Sequence, residues 1–182
     1  MSISPEDRAT LVHLARQAVE ATVTDKPLPK PQQLSGVLGE RRGCFVTLTN
    51  RGRLRGCIGT FRPDRALGEM VAQMAAAAAR DNRFYANPIV PSELPELKVE
   101  VSVLSALAKT TEPEKLEIGK HGVYVVRGAM SGCFLPEVAT EMGWNAQEFL
   151  SQCCAGKAGL HPDAWRQPGT AVFLFTSEKF DH

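Results

Sequence analysis

The sequence predicts an α+β protein, because runs that pair as hairpin strands are interspersed with helices. Asn50-Arg51-Gly52 is a strong turn signal between two strand-like runs, since glycine tolerates positive φ. Apolar residues recur at helical spacing on either side of that hairpin, over 11–19 and 66–80. The 182 residues, 43% of them hydrophobic, fit one compact domain or two small lobes that share a core.

The first half of the chain starts with a helix that Ser4 can cap and Pro5 can open. One apolar face of this helix consists of Leu11, Leu14, Ala15, Ala18 and Val19. The elements expected after it are a proline-rich connector over 25–33, strands over 43–49 and 53–58, a helix over 66–80, a loop over 81–91 and an alternating strand over 97–104.

The sequence predicts shorter elements in the second half of the chain. Asn145 with Glu148 forms a capping box at the start of a helix. The full set is a loop over 110–115, strands over 122–126 and 133–135, a helix from Pro136 to near Gly143, a helix from Asn145 to about Cys154, and a strand over 171–175.

The segment Leu-Arg-Gly-Cys-Ile-Gly-Thr-Phe at 54–61 is the most informative stretch for function. Successive strand residues point to opposite faces, so Arg53, Arg55 and Cys57 are expected to share one face. Positive charge next to a thiol stabilises the thiolate. Cys57 is therefore a candidate catalytic residue, with a small buried cysteine as the structural alternative.

Two glycines flank this cysteine. Gly56 and Gly59 carry no side chain, so a ligand or another backbone can come close at either position. A nucleophilic cysteine normally needs a base nearby. Of the four histidines, His121 is the best candidate, because it stands at the start of a predicted strand. Its alternative role is to bond the backbone at that strand end.

Arginines are concentrated in the hairpin region, although the net charge of the chain is only +1. They are Arg41, Arg42, Arg51, Arg53, Arg55, Arg62 and Arg65. They indicate either a solvated strand edge or a site for an anionic ligand. A nucleic-acid-binding or regulatory module is the alternative function, and the near-neutral net charge disfavours nucleic acid as a partner.

The five cysteines are an odd number, and the N-terminus has no basic run followed by an apolar stretch. We therefore expect a cytoplasmic protein with free thiols and no membrane segment. No C-x-x-C pair is present, and no spacing of histidine, cysteine and carboxylate residues indicates a metal set. We expect neither a metal nor another cofactor.

Four groups of motifs occur in a fixed order along the chain. They are Phe45-Val46-Thr47-Leu48 with 54–61, Asp81-Asn82-Arg83-Phe84 with 93–95 and 99–104, His121-Gly122-Val123 with Ser131-Gly132 and Gly143-Trp144, and Cys154 with 157–160 and Trp165. Together they resemble the AMMECR family, whose bacterial and archaeal members are called AmmeMemoRadiSam system protein A. The resemblance implies one domain over residues 1–182, with two lobes that share a core. It also implies a mixed, largely antiparallel sheet flanked by helices, with a smaller second lobe.

The resemblance also implies two partner proteins, a Memo-type protein and a radical S-adenosylmethionine protein. This chain lacks the cysteine triad that holds the iron–sulfur cluster of a radical enzyme. It is therefore expected to be an accessory member that binds a ligand or depends on a thiol, and whether it is an enzyme stays open.

The shared motifs add two ligand-binding candidates, Arg83 and Ser131. The alternative for Arg83 is an ion pair with a carboxylate. We expect the arginine hairpin and the His121 segment to converge on one site for a small anionic ligand, since guanidinium groups bind carboxylate or phosphate through two parallel hydrogen bonds.

Overall fold

A computed structural model describes residues 2–181 of the chain. Its α-helices are α1 (Pro5–Val23), α2 (Leu67–Ala79), α3 (Pro136–Met142) and α4 (Ala146–Gln152). Its strands are β1 (Cys44–Asn50), β2 (Arg53–Thr60), β3 (Leu97–Leu104), β4 (Ala108–Thr110), β5 (Gly122–Arg127), β6 (Met130–Phe134), β7 (Ala171–Phe175) and β8 (Ser177–Asp181). These elements form two compact units.

The first unit comprises residues 2–104 and 178–181. Its antiparallel sheet has the strand order β2-β1-β3-β8, so β2 is an edge strand. Helices α1 and α2 cover the sheet with apolar side chains that include Leu11, Val19 and Val71. Helix α1 begins where expected, because the Ser4 hydroxyl accepts a hydrogen bond from the Asp7 backbone N–H at 3.1 Å.

The hairpin of β1 and β2 is closed by the predicted turn. Arg51 and Gly52 both have positive φ, 48° and 76°, which is the backbone of a type I′ turn. Beyond the turn the register shifts: Thr49 pairs with Leu54, but the next residue of β1, Leu48, pairs with Gly56. Arg55 is thus the extra residue of a β-bulge.

The bulge corrects the expected placement of the hairpin arginines. Arg53 pairs with Asn50, whereas Cys57 pairs with Thr47. Asn50 and Thr47 are three residues apart on one strand and lie on opposite faces. Arg53 and Cys57 therefore also lie on opposite faces, because the single extra residue reverses the alternation.

The two glycines of β2 are explained by packing within the first unit. A Cβ on Gly56 would collide with the carbonyl oxygen of Ala78 in α2. A Cβ on Gly59 would collide with the ring of Phe45. The sequence allows either a ligand or another backbone close to each glycine. At Gly56 the close neighbour is another backbone, and at Gly59 an aromatic ring occupies the space.

The second unit comprises Ser105–Ser177. Its antiparallel sheet has the strand order β4-β7-β5-β6 and packs against α4 through a core that includes Phe149, Leu150 and Val125. After α4 the chain continues as a π-helix over Cys153–Ala158, which ends at Gly159 with φ of 68°. The backbone of this π-helix lies against Gly132 of β6, where a Cβ would not fit.

The predicted α+β class is confirmed, with helices flanking two antiparallel four-stranded sheets. Two short strands, β4 and β8, were not predicted, since each gains its strand character only from a partner distant in sequence. The single-domain organisation over 1–182 stays a prediction. Within residues 2–181, no helix has both the length and the apolar character that a membrane crossing requires.

Substituting Gly56→Ala should lower the free energy of unfolding by about 3 kcal/mol, because the new methyl group meets the backbone of α2 rather than a side chain that can move. Gly156→Ala is the matched control: its Cβ position is open, and alanine favours a helix. Urea denaturation of both variants measures the difference. Equal stabilities would contradict the close contact.

Candidate functional site

Cys57 lies on the free edge of β2, and a short segment after α2 occupies that edge. The backbone N–H of Cys57 donates to Asp81 Oδ2 at 3.0 Å, and its carbonyl oxygen accepts from Arg83 Nη2 at 3.2 Å. Both backbone groups of Cys57 thus bond away from β1. Asp81 and Arg83 satisfy an edge that would otherwise stay open to another strand.

The thiol of Cys57 is held in one place by its cross-strand partner. Thr47 pairs with Cys57, and the Thr47 Oγ1 to Cys57 Sγ distance is 3.3 Å. Side chains approach closely in a pair that lacks ladder hydrogen bonds. Both residues are half-buried. Cys57 is therefore neither in the middle of the core nor fully exposed.

The ion pair between Asp81 and Arg83 is the electrostatic centre of this edge. Arg83 Nη2 lies 2.6 Å from Asp81 Oδ2. Asp81 Oδ1 also accepts hydrogen bonds from Arg83 Nε and from the backbone N–H of Arg83, both at 3.1 Å. Asp81 is only 6% exposed. The side-chain hydrogen bond from Arg83 lowers the pKa of Asp81 to about 2, against the opposing effect of burial.

Arg83 is paired with a carboxylate, which is the alternative to a ligand-binding role. Its hydrogen bond to Asp81 raises its pKa, and 58% of its side chain is exposed. Its guanidinium carbon lies 5.7 Å from the centre of the Phe84 ring. Arg83 thus bonds the backbone of Cys57, whereas strand alternation predicts Arg53 and Arg55 on the face of the Cys57 side chain.

Arg55 is buried and engaged by a carboxylate of the first unit. Its Nε and Nη2 donate to the two carboxylate oxygens of Glu93, both at 3.0 Å. Asn50 Nδ2 donates to the same carboxylate at 3.1 Å. The bond from Arg55 is the main cause that lowers the pKa of Glu93. The fork of Arg55 is thus occupied by the protein itself.

Three of the other six hairpin arginines, Arg42, Arg51 and Arg65, are also paired with a carboxylate. Arg51 binds both carboxylate oxygens of Glu96, at 2.7 and 2.8 Å, and Arg42 binds Glu40 at 2.6 Å. Arg53 is exposed, and within residues 2–181 it has no hydrogen-bond or ion-pair partner. Guanidinium groups that already hold carboxylates release few counterions on binding nucleic acid, which disfavours the nucleic-acid alternative.

His121 and Ser131 belong to the second unit, whereas Cys57 belongs to the first. His121 Nδ1 accepts a hydrogen bond from the Glu117 backbone N–H at 3.0 Å, which is the contact that its alternative role expects. The ring then carries its proton on Nε2 and presents a donor there. Ser131 is exposed on β6. The convergence of these residues with Cys57 stays a prediction.

Three of the other four cysteines are more buried than Cys57, and Cys133 is half-buried like it. Cys44, Cys153 and Cys154 are fully buried, and burial raises the pKa of Cys44 to about 12. Burial also raises the pKa of Cys133 to about 11. All five thiols are unpaired in the structure, and their free state in the purified protein stays a prediction. Residues 2–181 contain no group of three metal-ligating side chains placed to hold an ion.

Three residues around the site were not predicted as part of it: Thr47, Asp81 and Glu93. Asp81 has a local signal, because it stands two residues before Arg83, close enough in sequence for a local ion pair. Thr47 follows from the hairpin register, which the turn position sets. Glu93 has no local signal, since it meets Arg55 across 38 positions of sequence.

Comparisons with known proteins agree on one family. The family model AMMECR1 matches residues 12–180. A protein of Methanosarcina barkeri is 43% identical over 185 residues, covering 96% of this chain and 89% of that protein. A protein of Methanothermobacter thermautotrophicus is 41% identical over 186 residues, covering 98% of this chain and 95% of that protein.

A solved structure has a similar fold. The crystal structure of an uncharacterized protein from Pyrococcus horikoshii superimposes with a TM-score of 0.88 at 38% sequence identity. The superposition covers 99% of this chain and 93% of that protein.

Alkylation of the native protein with iodoacetamide should modify Cys57 before the other cysteines. Cys57 is half-buried, whereas Cys44, Cys153 and Cys154 are enclosed in the core, and the thiolate of Cys133 is disfavoured by its raised pKa. Peptide mass spectrometry over a time course gives the order of labelling. Labelling of Cys57 only after unfolding would show that the thiol is structural.

Replacing Asp81→Asn should reduce the free energy of unfolding by about 2 kcal/mol at neutral pH, since one pKa unit corresponds to about 1.4 kcal/mol. A carboxylate with a lowered folded pKa contributes stability above its unfolded pKa of about 4 and loses that contribution as the pH falls toward 2. The wild type and the variant should therefore converge over this acidic window. Urea titrations across pH measure this.

Asp64→Asn is the control for this pH series, because Asp64 is 75% exposed on its side chain and lies 4.0 Å from Arg65. Its stability difference from wild type should be small at every pH. If the free energy of unfolding of Asp81→Asn differs from that of wild type by the same amount at every pH down to 2, the ion pair is not the source of the difference.

Proposed function

This chain belongs to the AMMECR1 family, and we propose that it is an accessory, thiol-dependent component of the AmmeMemoRadiSam system. The observation that carries the proposal is the placement of Cys57. A half-buried thiol stands on an edge strand whose backbone is held at that residue by Asp81 and Arg83. Such fixed, partly accessible side chains next to a guanidinium are suited to contact a ligand.

The geometry favours a thiol that handles a ligand over an independent Cys–His enzyme. A base for Cys57 has to accept a proton, and His121 uses Nδ1 to accept from the Glu117 backbone. The remaining nitrogen is a donor, which suits contact with an anionic group. Cys57 and His121 are therefore proposed as ligand contacts on the two units, with Arg83 and Ser131 as further candidates.

The family resemblance supplies the proposed partners, a Memo-type protein and a radical S-adenosylmethionine protein. The sequence has no cysteine triad for an iron–sulfur cluster, so the radical chemistry would belong to the partner. This chain would bring a small anionic ligand or substrate group to that partner in the cytoplasm. The ion pairs of Arg51 and Arg55 speak against nucleic acid as the ligand.

A reconstitution with the three purified proteins tests the proposal. The wild-type chain should increase turnover of S-adenosylmethionine by the radical protein, measured as release of 5′-deoxyadenosine. Cys57→Ser should lower this stimulation by about tenfold or more, because the thiol contact is lost. Cys133→Ser is the matched control, since Cys133 is also partly buried but lies in the other unit.

The result that contradicts the proposal is equally specific. If Cys57→Ser stimulates as well as wild type while remaining folded, the thiol has no role in the system. If the wild-type chain has no effect on turnover and does not co-purify with either partner, the association with this system is wrong.

A further inference from the structure

We infer that the cleft at the turn end of the β1–β2 hairpin is a separate binding site for a carboxylate that carries an apolar body. The cleft has a volume of about 810 Å³ and lies entirely within the first unit. Its walls come from the hairpin and from the loop that follows α2. Arg53, Leu54, Phe84, Asn87 and Ser92 are the lining residues that the inference uses.

The charges of this cleft leave one guanidinium available. Three arginines and two glutamates line it. Arg51 and Arg55 each donate two hydrogen bonds to a carboxylate, that of Glu96 and that of Glu93, which balances their charge. The excess positive charge is that of Arg53, which is exposed and unpaired within residues 2–181. An anion that enters the cleft therefore meets a guanidinium that no protein group has neutralised.

Other free donors face the same space. The side chains of Asn87 and Ser92 line the cleft, and neither has a hydrogen-bond partner within the described part of the chain. Amide and hydroxyl donors next to an arginine are the usual complement of a carboxylate or a phosphate. The site therefore has one cation and two neutral donors for a single anionic group.

The composition of the cleft favours carboxylate over phosphate. Its net charge is only about one unit, and two protein carboxylates lie in its wall, so a dianion would meet repulsion that a monoanion largely avoids. Leu54 is 41% exposed, and the half-buried ring of Phe84 is nearby in the same lining. These two side chains can cover an apolar body attached to the carboxylate.

This site is independent of the proposed role of Cys57. Cys57 is not among the residues that line the cleft, and neither are Thr47, Asp81 and Arg83, which contact it. Loss of the thiol should therefore leave the cleft unchanged. The ligand chemistry fits both a free small carboxylic acid and the C-terminal residue of a peptide, because each carries a carboxylate beside an apolar side chain.

Titration of ¹⁵N-labelled full-length protein with N-acetyl-leucine tests the inference, followed by amide chemical shifts. The shifts should map to the cleft, and N-acetyl-leucinamide, which lacks the charge, should bind at least about tenfold more weakly. Inorganic phosphate should also bind more weakly than N-acetyl-leucine. A short peptide ending in leucine, with a free or an amidated C-terminus, distinguishes the two sources of the carboxylate.

Two arginine variants complete the test. Arg53→Ala should weaken binding of N-acetyl-leucine by about tenfold, whereas Arg62→Ala, an exposed arginine outside the cleft, should leave it within about twofold. Cys57→Ser should bind like wild type. Unchanged binding by a folded Arg53→Ala, equal shifts with the uncharged amide, or tighter binding of phosphate would overturn the inference.

Discussion

The free edge of β2 at Cys57 is the constraint on which this region of the molecule depends. An edge strand presents backbone donors and acceptors that require partners, and here a side-chain ion pair supplies them. Asp81 accepts from the Cys57 N–H while Arg83 donates to the Cys57 carbonyl oxygen. One pair of residues therefore satisfies both backbone groups of Cys57. The same contacts hold the short segment after α2 against the hairpin and leave the thiol partly accessible beside it.

The bulge at Arg55 separates two kinds of chemistry on one hairpin. On one side of the bulge, Cys57 stands with Thr47 and beside the Asp81–Arg83 pair. On the other, Arg53 lines a polar cleft with the loop residues that follow α2. Because one extra residue reverses the alternation of side chains, Arg53 and Cys57, four positions apart, lie on opposite faces of the sheet. A regular strand would have placed the thiol and the guanidinium on the same face.

Internal pairing accounts for part of the arginine enrichment in this hairpin region. Glu93 and Glu96 come from one short 3₁₀ segment, Pro91–Glu96, and engage Arg55 and Arg51 respectively. The buried pair is bidentate and receives a further bond from Asn50, which is the geometry that a partly buried charge needs. Within residues 2–181, Arg41, Arg53 and Arg62 are exposed and have no side-chain partner, so the positive charge that remains for ligands lies on these three and on the exposed side of Arg83.

The sequence by itself determined the features that arise from neighbouring residues. Ser4 caps α1, Arg51-Gly52 forms the turn, and Asn145 with Glu148 starts α4, because each needs contacts only a few positions apart. The tertiary structure alone decided the bulge, the partner of Arg55 and the hydrogen bonds of Cys57. The Cys57–Asp81 and Arg55–Glu93 contacts span 24 and 38 positions, and no local preference selects such partners. The chain has to pack β2 against α2 and the 3₁₀ segment before these residues meet, so their roles follow from packing rather than from pattern.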